Sequence, residues 1–207
     1  MLLNQKATIA VLALLFLQTA IPGVARAGAP TEQVRITADK VLTVLQDSRL
    51  KAADKEKERR ALVRQLIAAR FDFGEMAKRS LGANWQRVGA EEQDRFVRLF
   101  TELLEKSYAD QIDSYDGDKI LYGRENVAQD QAEVDTKIVT KKGEQISVNY
   151  KLRAAGWDWK IYDVVIENIS LVNNFRSQFN RILANASFAE LLKKLESKSP
   201  EIKGVRS

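Results

Sequence analysis

The spacing of apolar residues divides the chain into helices, then strands, then helices. Between Thr31 and Arg49, the positions Val34, Ala38, Val41, Leu42 and Leu45 fall on one helical stripe. A second helix is predicted from about Asp54 to Ala69, burying Ala61, Leu62 and Leu66 with Ile67 beside them. In FDFGEMAKRSLG, Asp72 and Glu75 have the spacing of a capping box, in which each side chain satisfies a free backbone N–H at a helix start. Phe73, Met76, Ala77 and Leu81 would then face inward, with Gly82 closing the turn. A long helix over Ala90 to Asp113 carries Phe96, Val97, Phe100, Leu103, Leu104 and Tyr108 on a wide apolar face.

From Lys119 the period drops from about 3.6 to about 2. Residues 119–128, 131–141, 144–154 and 157–167 read as four strands joined by tight turns. In the third, Ile146, Val148, Tyr150 and Leu152 point one way, with Ser147, Asn149, Lys151 and Arg153 opposite. In the fourth, Trp157, Trp159 and Ile161 alternate, but Val164, Val165 and Ile166 are consecutive, as in a stretch covered on both sides. Leu171 to Leu183 returns to helical spacing through Val172, Phe175, Phe179 and Ile182. Ser187 and Glu190 form a second capping box ahead of Leu191, Leu192 and Leu195, and beyond Pro200 the sequence reads as frayed. The fold class is α+β: a four-stranded antiparallel sheet with helices packed on one face.

The first residues read as an address rather than structure. Lys6, the apolar run Ile9 to Leu17, the breaker Pro22–Gly23 and the exit Ala25-Arg26-Ala27 describe a signal peptide over 1–27. The run is too short to span a bilayer, which needs about 20 residues. Its removal takes Lys6 and Arg26 away and lowers the formal net charge from +5 to +3, leaving residues 28–207 as the exported domain.

Cysteine and histidine are both absent, which excludes thiol nucleophiles, disulfides, Cys/His zinc sites and imidazole acid–base catalysis. No dinucleotide, P-loop or common serine-nucleophile motif is present, and no Asp-rich loop has calcium spacing. Neighbours such as Glu91–Glu92 diverge around a helix and read as first-turn anions, not an acid–base pair. The block Lys51 to Arg60 mixes both signs at helical spacing and reads as a solvated face; nothing in it points to nucleic acid. No metal, cofactor or catalytic residue is expected, and a binding or carrier protein fits better than an enzyme. Two other readings stay open: an enzyme using carboxylates with Tyr108 or Tyr150, and a structural or chaperone-like envelope protein.

What remains is an excess of large apolar residues. The sheet supplies Ile138, Val148, Tyr150, Trp159, Ile161 and Val165; the long helix adds Phe100, Leu103, Leu104 and Tyr108; the tail adds Ile169, Val172, Phe175 and Phe179. A filled core and a ligand cavity leave the same periodic signature, so spacing alone does not separate them.

FDFGEMAKRSLGANW (71–85), EEQDRFVRLF (91–100), WDWKIYDVVIENISLV (157–172) and NNFRSQF (173–179), in this order, resemble the MlaC family of periplasmic phospholipid-binding proteins, also called toluene-tolerance auxiliary proteins. The resemblance covers about 31–197. It implies a cone-like, nuclear-transport-factor-like unit (about 86–170) with a curved sheet, joined to a helical lobe (about 28–85 plus 171–207). A deep apolar pocket would lie between sheet and helices, near or beyond the upper end of the usual ~300–1,000 Å³ range. It further implies a monomeric periplasmic carrier, without cofactor, moving phospholipid between an outer-membrane lipoprotein–porin complex and an inner-membrane ABC transporter, docking there on its MCE-domain subunit. The apolar residues named above are then expected to line the lipid site. A helix is expected to move on docking, because transfer requires the ligand to bind two states differently. Arg176 is expected to make a structural hydrogen bond, and Trp85 to fill the junction of the lobes.

Overall fold

The structure, a computed structural model, describes residues 29–113, 115, 117–197, 202 and 204. The signal peptide expected at 1–27 lies outside the described residues. Strands β1 (Lys119–Ala128), β2 (Gln131–Val139), β3 (Gln145–Ala155) and β4 (Asp158–Ile166) follow the period-two segments, with β2 and β4 shorter than expected. Each pairs antiparallel with its neighbour in sequence, because the turns between them are too short for any other partner.

Among the described residues the sheet has five strands, not four. β5 (Ile169–Ser170) folds back on β4, pairing Ile169 with Ile166 and Ser170 with Val165. Glu167 and Asn168 make that turn with φ of 46° and 66°, the left-handed pair a two-residue hairpin requires. Two residues are too few to show a period, so β5 was invisible to spacing.

β4 contains a second departure. Leu152 pairs with Ile161 but Lys151 pairs with Asp163, so Tyr162 is an extra residue in the ladder. Such a bulge reverses the parity of everything after it. Trp159 and Ile161 face inward before it; Val164 and Ile166, opposite Tyr150 and Val148, face inward after it. Val165 is therefore turned to the other side, opposite Asn149. Trp157 does not continue the inward series either: it sits in the β3–β4 turn and is 67% exposed.

The helices are α1 (Pro30–Gln46), α2 (Glu56–Arg70), α3 (Phe73–Leu81), α4 (Ala90–Asp113), α5 (Leu171–Leu183) and α6 (Phe188–Glu196). None of them, among the described residues, is long and apolar enough to cross a membrane. Ser187 and Glu190 form the complete capping box at α6. At α3 only half forms. The Asp72 carboxylate accepts the Glu75 N–H at 2.9 Å, but the Asp72 N–H is donated to the Ile161 carbonyl, and Glu75 accepts instead from Arg79. Arg153 of β3 holds the same Asp72 carboxylate through Nε and Nη2 at 2.8 and 2.5 Å.

Two hydrophobic clusters result. One unites α3, α4, α5 and α6 around Phe96, Phe100, Phe175 and Phe179; the Phe100 and Phe175 rings meet edge to face at 5.3 Å. Ile202 is buried in it, so at that residue the chain is anchored where the sequence reads as frayed. Trp85 packs at its edge, and Arg176 Nε donates to the Arg79 carbonyl at 2.8 Å. The other cluster lies on the inner sheet face, with Val34 of α1 against Val134, Val148, Leu152, Trp159, Ile161 and Val164. Phe71 and Tyr108 pack against both clusters.

Buried polar groups join these layers. Gln33 of α1 accepts from Arg70 of α2 at 2.5 Å and from the Trp159 N–H at 2.9 Å. Asp163, 5% exposed, accepts from the Ser170 hydroxyl at 2.6 Å and from the Val172 N–H at 3.1 Å, fixing the start of α5 to β4. Replacing Asp163 by alanine leaves both donors unsatisfied and is expected to lower stability by about 2–3 kcal/mol. Urea unfolding should show this as a lower midpoint with an unchanged slope.

Candidate functional site

A cavity of about 700 Å³ opens where the two clusters meet. That volume lies inside the usual range for ligand pockets, ~300–1,000 Å³, not at or beyond its upper end. Its floor is apolar and buried: Met76 of α3, Leu104 of α4, Val63 of α2, Val164 of β4 and Leu171. Half-buried aromatic walls come from Phe71, Phe73, Tyr108 and Tyr150, with Ile67, Ile166 and Ala109 completing them. Toward solvent the lining turns charged through Lys57, Arg60, Arg64, Glu102 and Lys106, all exposed.

The local sequence explains each wall. The Tyr162 bulge brings Val164 and Ile166, not Val165, onto the cavity side. Asp72 starts α3 just after β4 has captured its N–H, which sets Phe71 and Phe73 beside the sheet with their rings stacked at 5.8 Å. The α4 residues Leu104 and Tyr108, four apart, share one face. α2 carries only one fully buried residue, Val63, and otherwise presents aliphatic stems and small side chains.

Of the residues expected at a lipid site, the structure brings together Leu104, Tyr108 and Tyr150 on the cavity wall. Phe100, Val172, Phe175 and Phe179 are buried in the helical cluster, and Leu103 packs against it. Val148, Trp159 and Ile161 lie in the sheet cluster, with Ile138 beside them. Val165 is on the opposite sheet face, and Ile169, in β5, is 49% exposed.

The largest omission is α2. Its Lys51–Arg60 approach reads as a solvated face, and Ala61 and Leu62, expected to be buried, are exposed instead because the helix turns Val63 to the interior; Ala61, Val63 and Ile67 line the cavity. The available signal was Val63, an apolar residue three and four positions before Leu66 and Ile67 and so on their face.

The cavity lining holds two tyrosines and two carboxylates. Burial pushes the Tyr150 phenol above its ordinary pKa, opposed by a hydrogen bond with Thr136. Its neighbour on the sheet, Tyr122, is pushed to about 12, by burial first and then by Tyr150. The lining carboxylates, Glu102 and Glu105, come from the rim segment of α4, and Glu105 is paired with Arg64 at 2.7 Å.

A family model described as "MlaC protein" matches residues 35–197. The intermembrane phospholipid transport system binding protein MlaC of Haemophilus influenzae is 23% identical over 169 residues, covering 79% of each chain. Among solved structures, a phospholipid-binding protein from Ralstonia solanacearum, in complex with a phospholipid, superposes with a TM-score of 0.74 at 24% identity. The match spans 83% of this chain and 97% of that one, and shows that the two share a fold.

Proposed function

The chain belongs to the MlaC family, and on that premise we propose that it is a phospholipid carrier whose acyl chains occupy the cavity between α2, α3, α4 and the sheet. The observation that carries this reading is the cavity's gradient, from an apolar buried floor to a charged rim. An acyl chain gains about 0.8 kcal/mol per CH₂ withdrawn from water, so a carrier needs walls as apolar as the membrane it replaces. A phosphate group needs water or a cation, and the rim offers both. The name of the Haemophilus relative and the phospholipid held by the Ralstonia protein support the same ligand class.

In this reading residues 1–27 direct export and are removed, and 28–207 act as a monomer in the periplasm, on a cone-like unit with a curved sheet. The carrier exchanges lipid with an outer-membrane lipoprotein–porin complex and with the MCE-domain subunit of an inner-membrane ABC transporter. It uses no cofactor and makes no covalent bond. α2 is the wall that moves on docking. Two 3₁₀ turns, Ser48–Leu50 and Ala53–Lys55, precede it, and Val63 is its one buried apolar side chain, while Arg70 at its far end is held by Gln33 and the Trp159 carbonyl.

Solvent extraction of the purified protein followed by mass spectrometry should recover about one phospholipid per chain. A protein that carries none, and takes none from phospholipid vesicles, overturns the proposal.

A further inference from the structure

Resting on the carrier reading, we propose that Arg64 receives the phosphate of the bound lipid, and that Glu105 competes with that phosphate for the same guanidinium. Arg64 follows Val63, whose side chain is buried at the cavity floor, and precedes Ile67 on the wall, so it stands where the lining changes from apolar to charged. α2 reaches across the cavity mouth to α4 through Arg64 Nε, 2.7 Å from Glu105 Oε1. The two partners differ in setting. The Arg64 side chain is 61% exposed and that of Glu105 29%. An ion pair with so much solvent around one member contributes little to stability, so exchanging one anion for another costs little.

The chemistry of the guanidinium selects the incoming group. A planar fork with parallel N–H donors matches the paired oxygens of a phosphodiester, and such charge-assisted pairs are stronger than neutral hydrogen bonds. Lys57 and Lys106, exposed on the same rim, add positive potential without that geometry. The phosphodiester is common to zwitterionic and anionic phospholipids, so Arg64 distinguishes phospholipids from diacylglycerols and other neutral lipids, not one head group from another.

The proposal predicts effects of opposite sign for the two members of the pair, which a purely structural ion pair does not. The test is a titration of the delipidated full-length mature protein with a short-chain phosphatidylcholine, kept monomeric, and with the diacylglycerol carrying the same chains. Arg64→Gln should weaken phosphatidylcholine binding by roughly tenfold, the effect of losing a charged hydrogen-bond partner. Glu105→Gln should strengthen it by about two- to fivefold, because the competing anion is gone. Diacylglycerol binding should shift by much less in both variants, and millimolar inorganic phosphate should not displace the lipid.

Equal weakening by both variants, or no change in either, marks the pair as structural and overturns the assignment. A shift for diacylglycerol as large as that for phosphatidylcholine, or displacement by inorganic phosphate alone, overturns it too. If the unmodified protein binds neither lipid, the carrier reading itself has failed, a result distinct from the others.

Discussion

Tyr150→Glu is expected to cost the protein its lipid while leaving it folded. Tyr150 stands between Val134 of β2 and Val164 of β4, and its side chain lines the cavity. A half-buried residue whose accessible surface faces a cavity can be replaced by a polar one at modest folding cost, because water enters with it. Acyl chains seated over that carboxylate would strip the water away, and an ionised carboxylate buried without a partner costs several kcal/mol. Lipid affinity should therefore fall by about a hundredfold or more, equivalent to about 3 kcal/mol. Tyr150→Phe should retain binding.

The sign of the pH dependence is an internal check. Bound lipid raises the pKa of the introduced carboxyl, so binding takes up a proton and strengthens as the pH falls. Fluorescence titration of Tyr150→Glu at about pH 8 and about pH 5 should show partial recovery at the lower value, with the carboxyl's unperturbed pKa near 4.3. Loss of thermal stability in proportion to loss of binding would instead mark Tyr150 as ordinary core.

Phe175→Ala should do the reverse. Phe175 has no exposed surface and meets Phe100 at 5.3 Å and Phe179 at 5.8 Å. Truncating a fully buried phenylalanine forfeits its transfer free energy and leaves a cavity, together about 3–5 kcal/mol. For a chain of this size that lowers Tm by roughly 10 °C. Below the transition, the folded fraction should take up lipid as the unmodified protein does, since Phe175 is not among the cavity's lining residues. An unchanged Tm with lost uptake would return Phe175 to the lipid site, where the family resemblance had placed it. Calorimetry and lipid extraction on one preparation separate the outcomes.

These paired predictions rest on a distinction that spacing along the chain does not make. Apolar residues at helical or alternating intervals record which side of an element avoids water, and water is equally absent from a packed core and from a lipid-filled cavity. Phe100 and Leu104 illustrate it: one helical turn apart on the same face of α4 and buried in the same cluster, only the second also lines the cavity. The helices and the first four strands were legible because each repeats its period several times. The capping boxes were legible because they need particular side chains at a particular spacing, although Asp72 shows that a competing acceptor on another element can undo half of one. α2 escaped notice as a wall because its cavity face is made of Ala61, Val63, Ile67 and the stems of long cations, which read along the chain as a charged surface helix.

Periodicity along the chain thus established the class of fold and the order of its elements, and composition the lack of a thiol or imidazole centre, since these depend on local spacing and residue type. Where the interior is hollow was decided in three dimensions. The ladder slip at Tyr162 exchanges Val165 for Val164 and Ile166, β5 turns the chain back before α5, and α2 stands off across the cavity from α4. Each depends on how separate elements meet, and free volume belongs to the meeting of surfaces, not to any one segment.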